Sequence, residues 1–290
     1  MGVFAYKADD THTAYFTNAK FAKHSTQSYW VGEGTTYYWP FQGYLDFYFY
    51  APHQTGNNAS VTNSVSEKKL TISTFTNADY TSESYDGEGP GLNYNCADLM
   101  YGSTIIRENK EGAVDNAGIS VTLKHALALV QVKATAATSV VKIQSMKLED
   151  TPKTAKLTVN YAGSPITGSP SWTNWQEQNL DLTIFDNSTN PASISSSLTQ
   201  LGNEVLVIPG KPQTSFTITY TLGDFDTVFT ATLPLNDGNT PTWEPGKKYV
   251  YKISFGLEEI KFAPEVVEWG TGGVAEGSNG GVSVEEVSES

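Results

Sequence analysis

Cysteine and arginine are almost absent from the sequence. Cys96 is the only cysteine among 290 residues, so the chain cannot form an intramolecular disulfide and its fold must depend on a hydrophobic core. Arg107 is the only arginine, and the formal net charge is −13. A charge of this sign repels phosphate backbones and anionic membrane surfaces. These shortages exclude a disulfide scaffold and argue against nucleic acid as a partner.

Long apolar runs are missing as well. The sequence contains no stretch of about 18 apolar residues, the length that a membrane-spanning helix needs, so we expect a mature form that does not span a membrane. The first residues, Met1 to Tyr6, lack the basic and apolar regions of a signal peptide. We therefore expect either a cytosolic protein or the mature, trimmed form of an exported one.

Motifs for catalysis and for metal binding are also absent from the sequence. The four histidines, His12, His24, His53 and His125, lack the spacing of metal ligands. The sequence has no Gly-x-Ser-x-Gly elbow and no phosphate-binding loop. We therefore predict that the protein is not an enzyme, with no catalytic residue, no bound metal and no cofactor.

The sequence does contain the periodicity of β-strands. Apolar and polar residues alternate with a period of two in residues 70–72, 180–184, 216–222 and 249–257. Turn signals rich in glycine, proline and asparagine separate such runs. Residues 121–132 are apolar on both faces in their middle, which indicates a central strand buried between two layers. We predict an all-β fold of antiparallel β-sandwiches.

The length of the chain is sufficient for two domains, each with its own core. The polar, glycine-containing residues 109–118 are the candidate boundary. We predict an N-terminal β-sandwich domain at 1–115 and a C-terminal β-sandwich domain at 116–269. We expect Trp269 to be a core anchor that closes the last strand of the second domain.

The composition changes after Trp269. Residues 270–281 are rich in glycine and small polar residues, a composition typical of a flexible tether. Residues 282–287 then alternate in part between valine and polar or acidic side chains, which is compatible with a strand. We call residues 270–290 the tail, and we predict that it holds a tether followed by a short strand.

Short segments spaced along the chain carry a further signal through their order. They are Gly2–Tyr6, Tyr38–Pro40, Leu45–Pro52, Ala97–Tyr101, His125–Ala128, Val205–Gly210, Trp243–Tyr249 and Val267–Trp269. Together they resemble the fimbrillin family of Bacteroidales, the subunits of type V pili with their anchors and tips. The resemblance covers most of the chain and rests on the order and spacing of the segments.

The resemblance implies a fold and a maturation route. It implies two tandem, stacked transthyretin-like β-sandwich domains, export as a lipoprotein precursor, and removal of an N-terminal segment that includes the first strand. Cys96 lies in mid-chain and not in a lipobox, so this chain is similar to a processed subunit with Met1 added. The expected location is the cell surface fimbria, associated with the outer membrane.

The resemblance also implies assembly by donor-strand exchange, head to tail. If the first domain lacks a strand, it exposes an apolar groove with unpaired backbone groups, which a neighbour must fill. We predict that the acceptor groove includes Val3, Phe4 and Tyr6. We predict that the donor strand uses Val282, Val284 and Val287. The expected partners are other copies of the chain, other fimbrial subunits, and a ligand on a host or bacterial surface.

An alternative from another class is a tip adhesin or a carbohydrate-binding module of the outer surface. The aromatic group Trp172, Trp175 and Tyr161 has the ring faces that stack on sugars, although the same residues also fit a sandwich core. A tip protein has no subunit beyond it to receive its donor strand, so its tail would be dispensable for assembly. An enzyme is the third and most distant alternative.

Overall fold

The alternating sequence forms strands throughout the part of the chain that the structure describes. The computed structural model describes residues 1–7, 13–24, 29–38, 40, 45–53, 61–64, 66–79, 85–86, 93–94, 96–106, 121–137, 141–162, 167–210, 214–223, 227–235, 240–256, 260–269 and 273–274. Every helix or strand in these ranges is a strand, so the prediction of an all-β fold is confirmed.

The strands are numbered in chain order. The first eleven are β1 (Gly2–Lys7), β2 (Ala14–Lys23), β3 (Trp30–Gly32), β4 (Leu45–Ala51), β5 (Val61–Ser64), β6 (Lys69–Thr76), β7 (Tyr85–Asp86), β8 (Asn93–Tyr94), β9 (Met100–Ile106), β10 (Val121–Thr122) and β11 (Lys124–His125). The others are β12 (Ala128–Ala136), β13 (Val141–Ala162), β14 (Thr167–Asp186), β15 (Ala192–Ile194), β16 (Thr199–Gln200), β17 (Val205–Val207), β18 (Ser215–Leu222), β19 (Val228–Pro234), β20 (Lys247–Phe255), β21 (Ile260–Glu268) and β22 (Gly273–Val274).

The first sheet has six strands in the order β11-β9-β4-β1-β2-β3. Strand β1 lies inside this sheet, because it pairs antiparallel with β2 on one edge and with β4 on the other. Alternation along β1 and β4 places apolar side chains on both faces of the sheet. One face carries Phe4, Tyr6, Tyr48 and Tyr50, and the other carries Val3, Ala5, Phe47 and Phe49.

The second sheet is organised around β13. This 22-residue strand pairs with β14 and β15 along one edge, and with β18 and β6 along the other. Its first half pairs with β18 through residues 141–149, and its second half pairs with β6 through residues 154–160. We call the antiparallel pair of β13 and β14 the ribbon. Register shifts interrupt the ribbon between Leu148 and Lys156, where it passes from one core to the next.

Two cores lie on either side of that transition. The first core is enclosed by the first sheet, β6, and the ribbon residues Ala155, Leu157, Val159 and Trp172. The second core is enclosed by β18, the ribbon residues Ile143, Met146, Leu148 and Leu182, and the sheet of order β16-β12-β20-β21, in which β17 also pairs with β12. The side chains at the centre of both cores are almost completely buried.

Strand β12 lies between the two cores. The apolar pattern of residues 121–132 predicted such a buried central strand, and the prediction holds for part of that range. Leu129 contributes to the first core, whereas Val130 and Val132 contribute to the second. The predicted single strand is interrupted in the structure, because Leu123 and the Ala126–Leu127 turn separate β10, β11 and β12. Strand β12 also pairs parallel with β20, from Leu129–Lys248 to Ala136–Phe255, a departure from the antiparallel pairing that we expected.

The first core draws on residues from both sides of the predicted domain boundary. The boundary proposed near residue 115 lies outside the described residues and stays a prediction. However, the ribbon brings residues beyond 150 back to the first core, where Tyr161 packs edge-on against Tyr48 with their ring centroids 4.9 Å apart. The first core is therefore assembled from several separated stretches of the chain.

Candidate functional site

The end of β21 is attached to the first half of the chain by an aromatic stack. The ring of Trp269 lies over the ring of His125 at a centroid separation of 3.7 Å and an interplanar angle of 8°. The Trp269 amide donates to the carbonyl of Gly246 at 3.1 Å, which fixes the backbone at the same point. The path of the chain into the tail therefore begins at a defined position beside the first core.

A buried hydrogen bond supports this stack. His125 Nδ1 and Asp98 Oδ2 are 2.7 Å apart, and both side chains are almost fully covered. Burial raises the pKa of the Asp98 carboxyl, while the hydrogen bond from His125 opposes that shift. The pair orients the imidazole ring against Trp269, so we assign it a structural role.

This geometry corrects the expected role of Trp269. The side chain is only partly buried, and it packs against the first core rather than inside the second. The sequence pattern missed this arrangement because the weak alternation of residues 260–269 says nothing about contacts with residue 125. Trp269 therefore attaches the end of β21 to the first half of the chain.

The start of the tail forms a short ladder with the first half of the chain. Strand β22 pairs antiparallel with β10, so that Val274 lies opposite Val121 and Gly273 opposite Thr122. Val121 is buried in an apolar cluster on the outer face of the first sheet, which we call the outer cluster. Its buried members are Val3, Ala5, Leu45, Phe47, Phe49, Ala51, Val121 and Leu123.

The predicted acceptor residues divide between the two faces of the first sheet. Val3 belongs to the outer cluster, whereas Phe4 and Tyr6 are buried in the first core. Both edges of β1 are occupied, by β2 and β4, so a further strand cannot pair with β1 in this arrangement. The predicted donor residues Val282, Val284 and Val287 lie outside the described residues.

Two of the three predicted sugar-contacting residues share a cleft. The cleft has a volume of about 150 Å³ and is lined by Pro170, Trp172, Trp175, Pro209, Gly210, Trp243 and Pro245. Tyr161 is elsewhere, because it is 3% exposed in the first core. The other lining residues were not predicted. Pro209, Gly210, Trp243 and Pro245 come from distant parts of the sequence, whereas Pro170 lies on the same strand as the two tryptophans.

The position of Trp175 in this cleft is well defined. Its side chain is 41% exposed, its Nε1 donates to the carbonyl of Pro209 at 3.1 Å, and its ring packs on Gly210. Gly210 has a φ of 146°, and a Cβ there would approach the indole to 3.3 Å. The indole N–H groups of Trp172 and Trp243 also donate to internal acceptors, the Ala126 carbonyl and the Tyr251 hydroxyl. The cleft therefore offers ring faces rather than hydrogen-bond donors from its tryptophans.

Metal-ligand clusters and membrane-spanning helices were also sought in the described part of the chain. No group of three or more histidine, cysteine, aspartate or glutamate side chains there is arranged to hold a metal ion. Within the same ranges, no helix has the length and hydropathy to cross a membrane. Cys96 is buried, and burial raises the pKa of its thiol.

Comparison with known proteins gives one family and a set of related folds. A family model described as fimbrillin-like matches residues 1–269. A fimbrial protein from Bacteroides vulgatus has 16% sequence identity and a TM-score of 0.60, with 93% of this chain and 92% of that chain covered. A candidate cell adhesion protein from Bacteroides uniformis has 16% identity and a TM-score of 0.54, with 93% and 91% covered. The chain matches no curated protein.

Proposed function

The chain belongs to the fimbrillin-like family, and on that premise we propose that it is a structural subunit of a bacterial surface fimbria, joined head to tail by donor-strand exchange. Membership of the family makes the chain a fimbrial subunit that associates with other fimbrial subunits at the cell surface. The family is not enzymatic. Donor-strand exchange, the order of assembly and export as a lipoprotein precursor belong to the proposal.

The observation that carries the proposal is the ladder between β22 and β10. It supports the idea that the tail adds as an antiparallel strand to the edge of β10, beside the outer cluster. Adding a strand to an open edge is a general mode of peptide recognition, in which backbone hydrogen bonds contribute affinity and side-chain pockets contribute specificity. The same edge in a neighbouring subunit is an equivalent acceptor, since exchange of identical elements between copies costs little.

We therefore place the proposed acceptor beside β10 and not beside β1. Val3 remains part of it, as a member of the outer cluster that Val121 and Leu123 also join. Phe4 and Tyr6 contribute indirectly, because they hold the opposite face of β1 in the first core. On this proposal Val282 and Val284, which share one face of a strand, extend the outer cluster of the neighbouring subunit, whereas Val287 lies on the other face.

The tail has the length and the side chains that the proposed joint requires. An extended tail of roughly 20 residues spans on the order of 60 to 70 Å at about 3.3 Å per residue, so reach does not limit assembly. Complete burial of Val282, Val284 and Val287 would contribute about 1.5 to 3 kcal/mol each. Ladder hydrogen bonds add roughly 1 kcal/mol each.

Removing the donor segment tests the proposal. We expect a variant that lacks residues 280–290, and the variant Val284→Asp, to fold normally but to stop chain extension. A charge in an apolar groove is costly without a partner, so the single substitution should suffice. Filament length by negative-stain microscopy and the melting temperature are the two measurements.

Ser283→Asp is the matched control, because residue 283 points to the opposite side of a strand from Val282 and Val284. It should form filaments of normal length. Each donor-defective variant should still accept an intact tail, so mixing it with wild-type protein should give complexes that end at the variant. If the truncated protein forms filaments as long as the wild-type ones, the tail is not the donor.

The cleft around Trp175 favours a second candidate function, recognition of a carbohydrate by a tip or adhesive subunit. A half-exposed indole fixed against Gly210 and Pro209 presents a rigid apolar face, and such faces stack on the C–H side of a sugar ring. We expect glycan binding, measured on an array and by tryptophan fluorescence, to fall at least tenfold in Trp175→Ala and less in Trp175→Phe. Binding unchanged in Trp175→Ala, or no binding by the wild type, would reject this candidate.

A further inference from the structure

Strand β19 is an open edge in the described part of the molecule. It ends the second sheet, whose order is β19-β18-β13-β6-β5, and it pairs with β18 on one side only. The register is continuous from Ser215–Pro234 to Thr221–Val228, without a bulge. Strand β19 is therefore a regular edge of seven residues.

One hydrogen bond shows in which direction the backbone groups of β19 point. The Leu235 amide donates to the Thr214 carbonyl at 2.9 Å, so this pair is a hydrogen-bonded pair of the ladder. Hydrogen-bonded and non-hydrogen-bonded pairs alternate in antiparallel sheets. The amide and carbonyl groups of Phe229, Ala231 and Leu233 therefore form hydrogen bonds with β18. The amide and carbonyl groups of Val228, Thr230 and Thr232 point away from the sheet.

Pro234 fits the same alternation. It lies at a non-hydrogen-bonded pair with Ser215, so the position that has no N–H faces outward. The outward edge therefore keeps the complete donor and acceptor pattern from Val228 to Thr232, with one more carbonyl at Pro234.

The edge is also uncharged. Residues 227–235 contain no acidic or basic side chain, although the chain as a whole carries a formal net charge of −13. The edge strand of the other sheet of the second core, β21, contains Lys261, Pro264, Glu265 and Glu268. Charges and proline are the usual protection of an edge against strand addition. Strand β21 has this protection along its length, whereas β19 has only the terminal Pro234.

Apolar side chains at β19 are left partly uncovered. Val228 is 51% exposed and Phe229 is 38% exposed. Phe229 stacks on Tyr220 with a centroid separation of 5.7 Å, and Leu233 packs on the margin of the second core. A strand placed beside β19 would therefore both satisfy backbone groups and cover the margin of the core.

We propose that β19 is a lateral docking edge whose occupant is β19 of a second copy of this chain, paired antiparallel about Ala231. In this register Thr230 lies opposite Thr232 of the second copy, and both have outward backbone groups that exchange hydrogen bonds. Phe229 lies opposite Leu233 on the face of the second core. The Val228 amide reaches the Pro234 carbonyl, which needs no N–H from Pro234.

Two features select a second copy over another strand. The segment from Val228 to Pro234 is nearly symmetric about Ala231 in residue type, with Thr230 matching Thr232 and Phe229 matching Leu233. Two molecules of net charge −13 repel each other, so their contact is favoured where neither contributes a charge. The contact uses no tail residue. It goes beyond the head-to-tail joint and would connect subunits side by side.

A charge-pairing experiment tests the docking edge. Sedimentation velocity of the full chain with Val284→Asp, which removes tail-dependent extension, should show a monomer–dimer equilibrium. Thr230→Lys with Thr232→Lys should shift it to monomer, because lysines then face lysines across the pair. The same positions changed to glutamate should also give monomer, and mixing the two variants should restore a dimer. Lysine at Val266, an exposed position of β21, is the matched control and should leave the dimer unchanged.

Cross-linking tests the register. Residues at a non-hydrogen-bonded antiparallel pair have Cα atoms about 4.5 Å apart, which is within the range of a disulfide. Ala231→Cys should therefore form a disulfide dimer under mild oxidation, and Val266→Cys should not. Native Cys96 is buried and does not compete. A Val284→Asp chain that stays monomeric, a mixture of the charged variants that stays monomeric, or an Ala231→Cys variant that forms no disulfide dimer under mild oxidation would overturn the proposal.

Discussion

Buried tyrosines form much of the aromatic part of the first core. Tyr48, Tyr50, Tyr101 and Tyr161 are each exposed by 5% or less. Burial raises the pKa of Tyr48 to about 12, with a smaller contribution from the negative charge of Asp46. Burial also raises the pKa of Tyr101 to about 12. These hydroxyl groups keep their protons in the folded protein at pH values where an unfolded chain loses them.

A dependence of stability on alkaline pH follows. The unfolded chain ionises its tyrosines near their ordinary pKa of 10.0, whereas folded Tyr48 stays protonated until about 12. The folded state therefore binds more protons than the unfolded state above pH 10, and the free energy of unfolding falls as pH rises through that window. We expect Tyr48→Phe to lower the slope of that fall, as measured by urea unfolding at several pH values.

Tyr38→Phe is the matched control for this measurement. Tyr38 is 76% exposed, so its removal should leave the slope unchanged. Equal slopes for wild type and Tyr48→Phe would show that Tyr48 ionises equally easily in the folded and unfolded states.

At the scale of residues, the sequence predicts types of side chain better than their partners. Trp172 and Trp175 line one cleft, whereas Tyr161, which was grouped with them, lies in the first core. The pairing of His125 with Asp98 and Trp269 was not predicted. These contacts join residues far apart in sequence, and the local pattern around each of them is that of an ordinary strand end.

At the scale of elements, the ribbon is the feature that joins the two cores. Val141, Ile143, Met146 and Leu148 face the second core, with the alternation broken between Ile143 and Met146. Alternate positions from Ala155 to Tyr161 face the first core. Between them, Asp150 has a φ of 57°, and Asn174 and Glu177 on β14 have φ values of 55° and 52°. Such positive φ values at register shifts are typical of bulges that bend a strand pair.

Because β13 contributes to both cores, we predict that a substitution that destabilises one core also destabilises the other. Leu157 is 1% exposed in the first core, and we expect Leu157→Ala to lower the free energy of unfolding by about 2 to 5 kcal/mol. Because β13 also carries the pairing with β18, amide exchange should accelerate in β18 as well as in β6. Hydrogen exchange followed by mass spectrometry measures both strands in one experiment.

Asn160→Ala on the same strand is the control, since Asn160 is exposed and should leave both strands protected. Faster exchange confined to β6 and the first sheet would mean that the two cores open independently. That outcome would contradict the coupling that we assign to the ribbon.

The elements themselves were predictable where alternation is regular. Strands β18 and β20 coincide with the runs 216–222 and 249–257 to within a few residues. The ribbon was not recognised as one long hairpin, because its bulges break the period of two and Pro152 lies inside β13. The parallel pairing of β12 with β20 could not be predicted from the sequence either, because periodicity identifies a strand but not the strand that pairs with it.

At the scale of the whole molecule, fold class and family were both accessible from the sequence. Alternation, turn signals and the absence of helical periodicity gave an all-β fold, and the order of short segments gave the fimbrillin-like family. The location of the acceptor could not be predicted from the sequence, because it depends on which strand edges are occupied. Only the ladder of β1 with β2 and β4 shows that the edges of β1 are closed.

The ribbon has a mechanical consequence for the proposed filament. Strands of 22 and 20 residues measure about 73 and 66 Å at roughly 3.3 Å per residue, so one hydrogen-bonded beam runs past both cores of a subunit. Such a beam resists flexing within the subunit. In the proposed filament, bending would then fall at the joints between subunits rather than inside each subunit. A fimbria built this way would bend as a chain of stiff links.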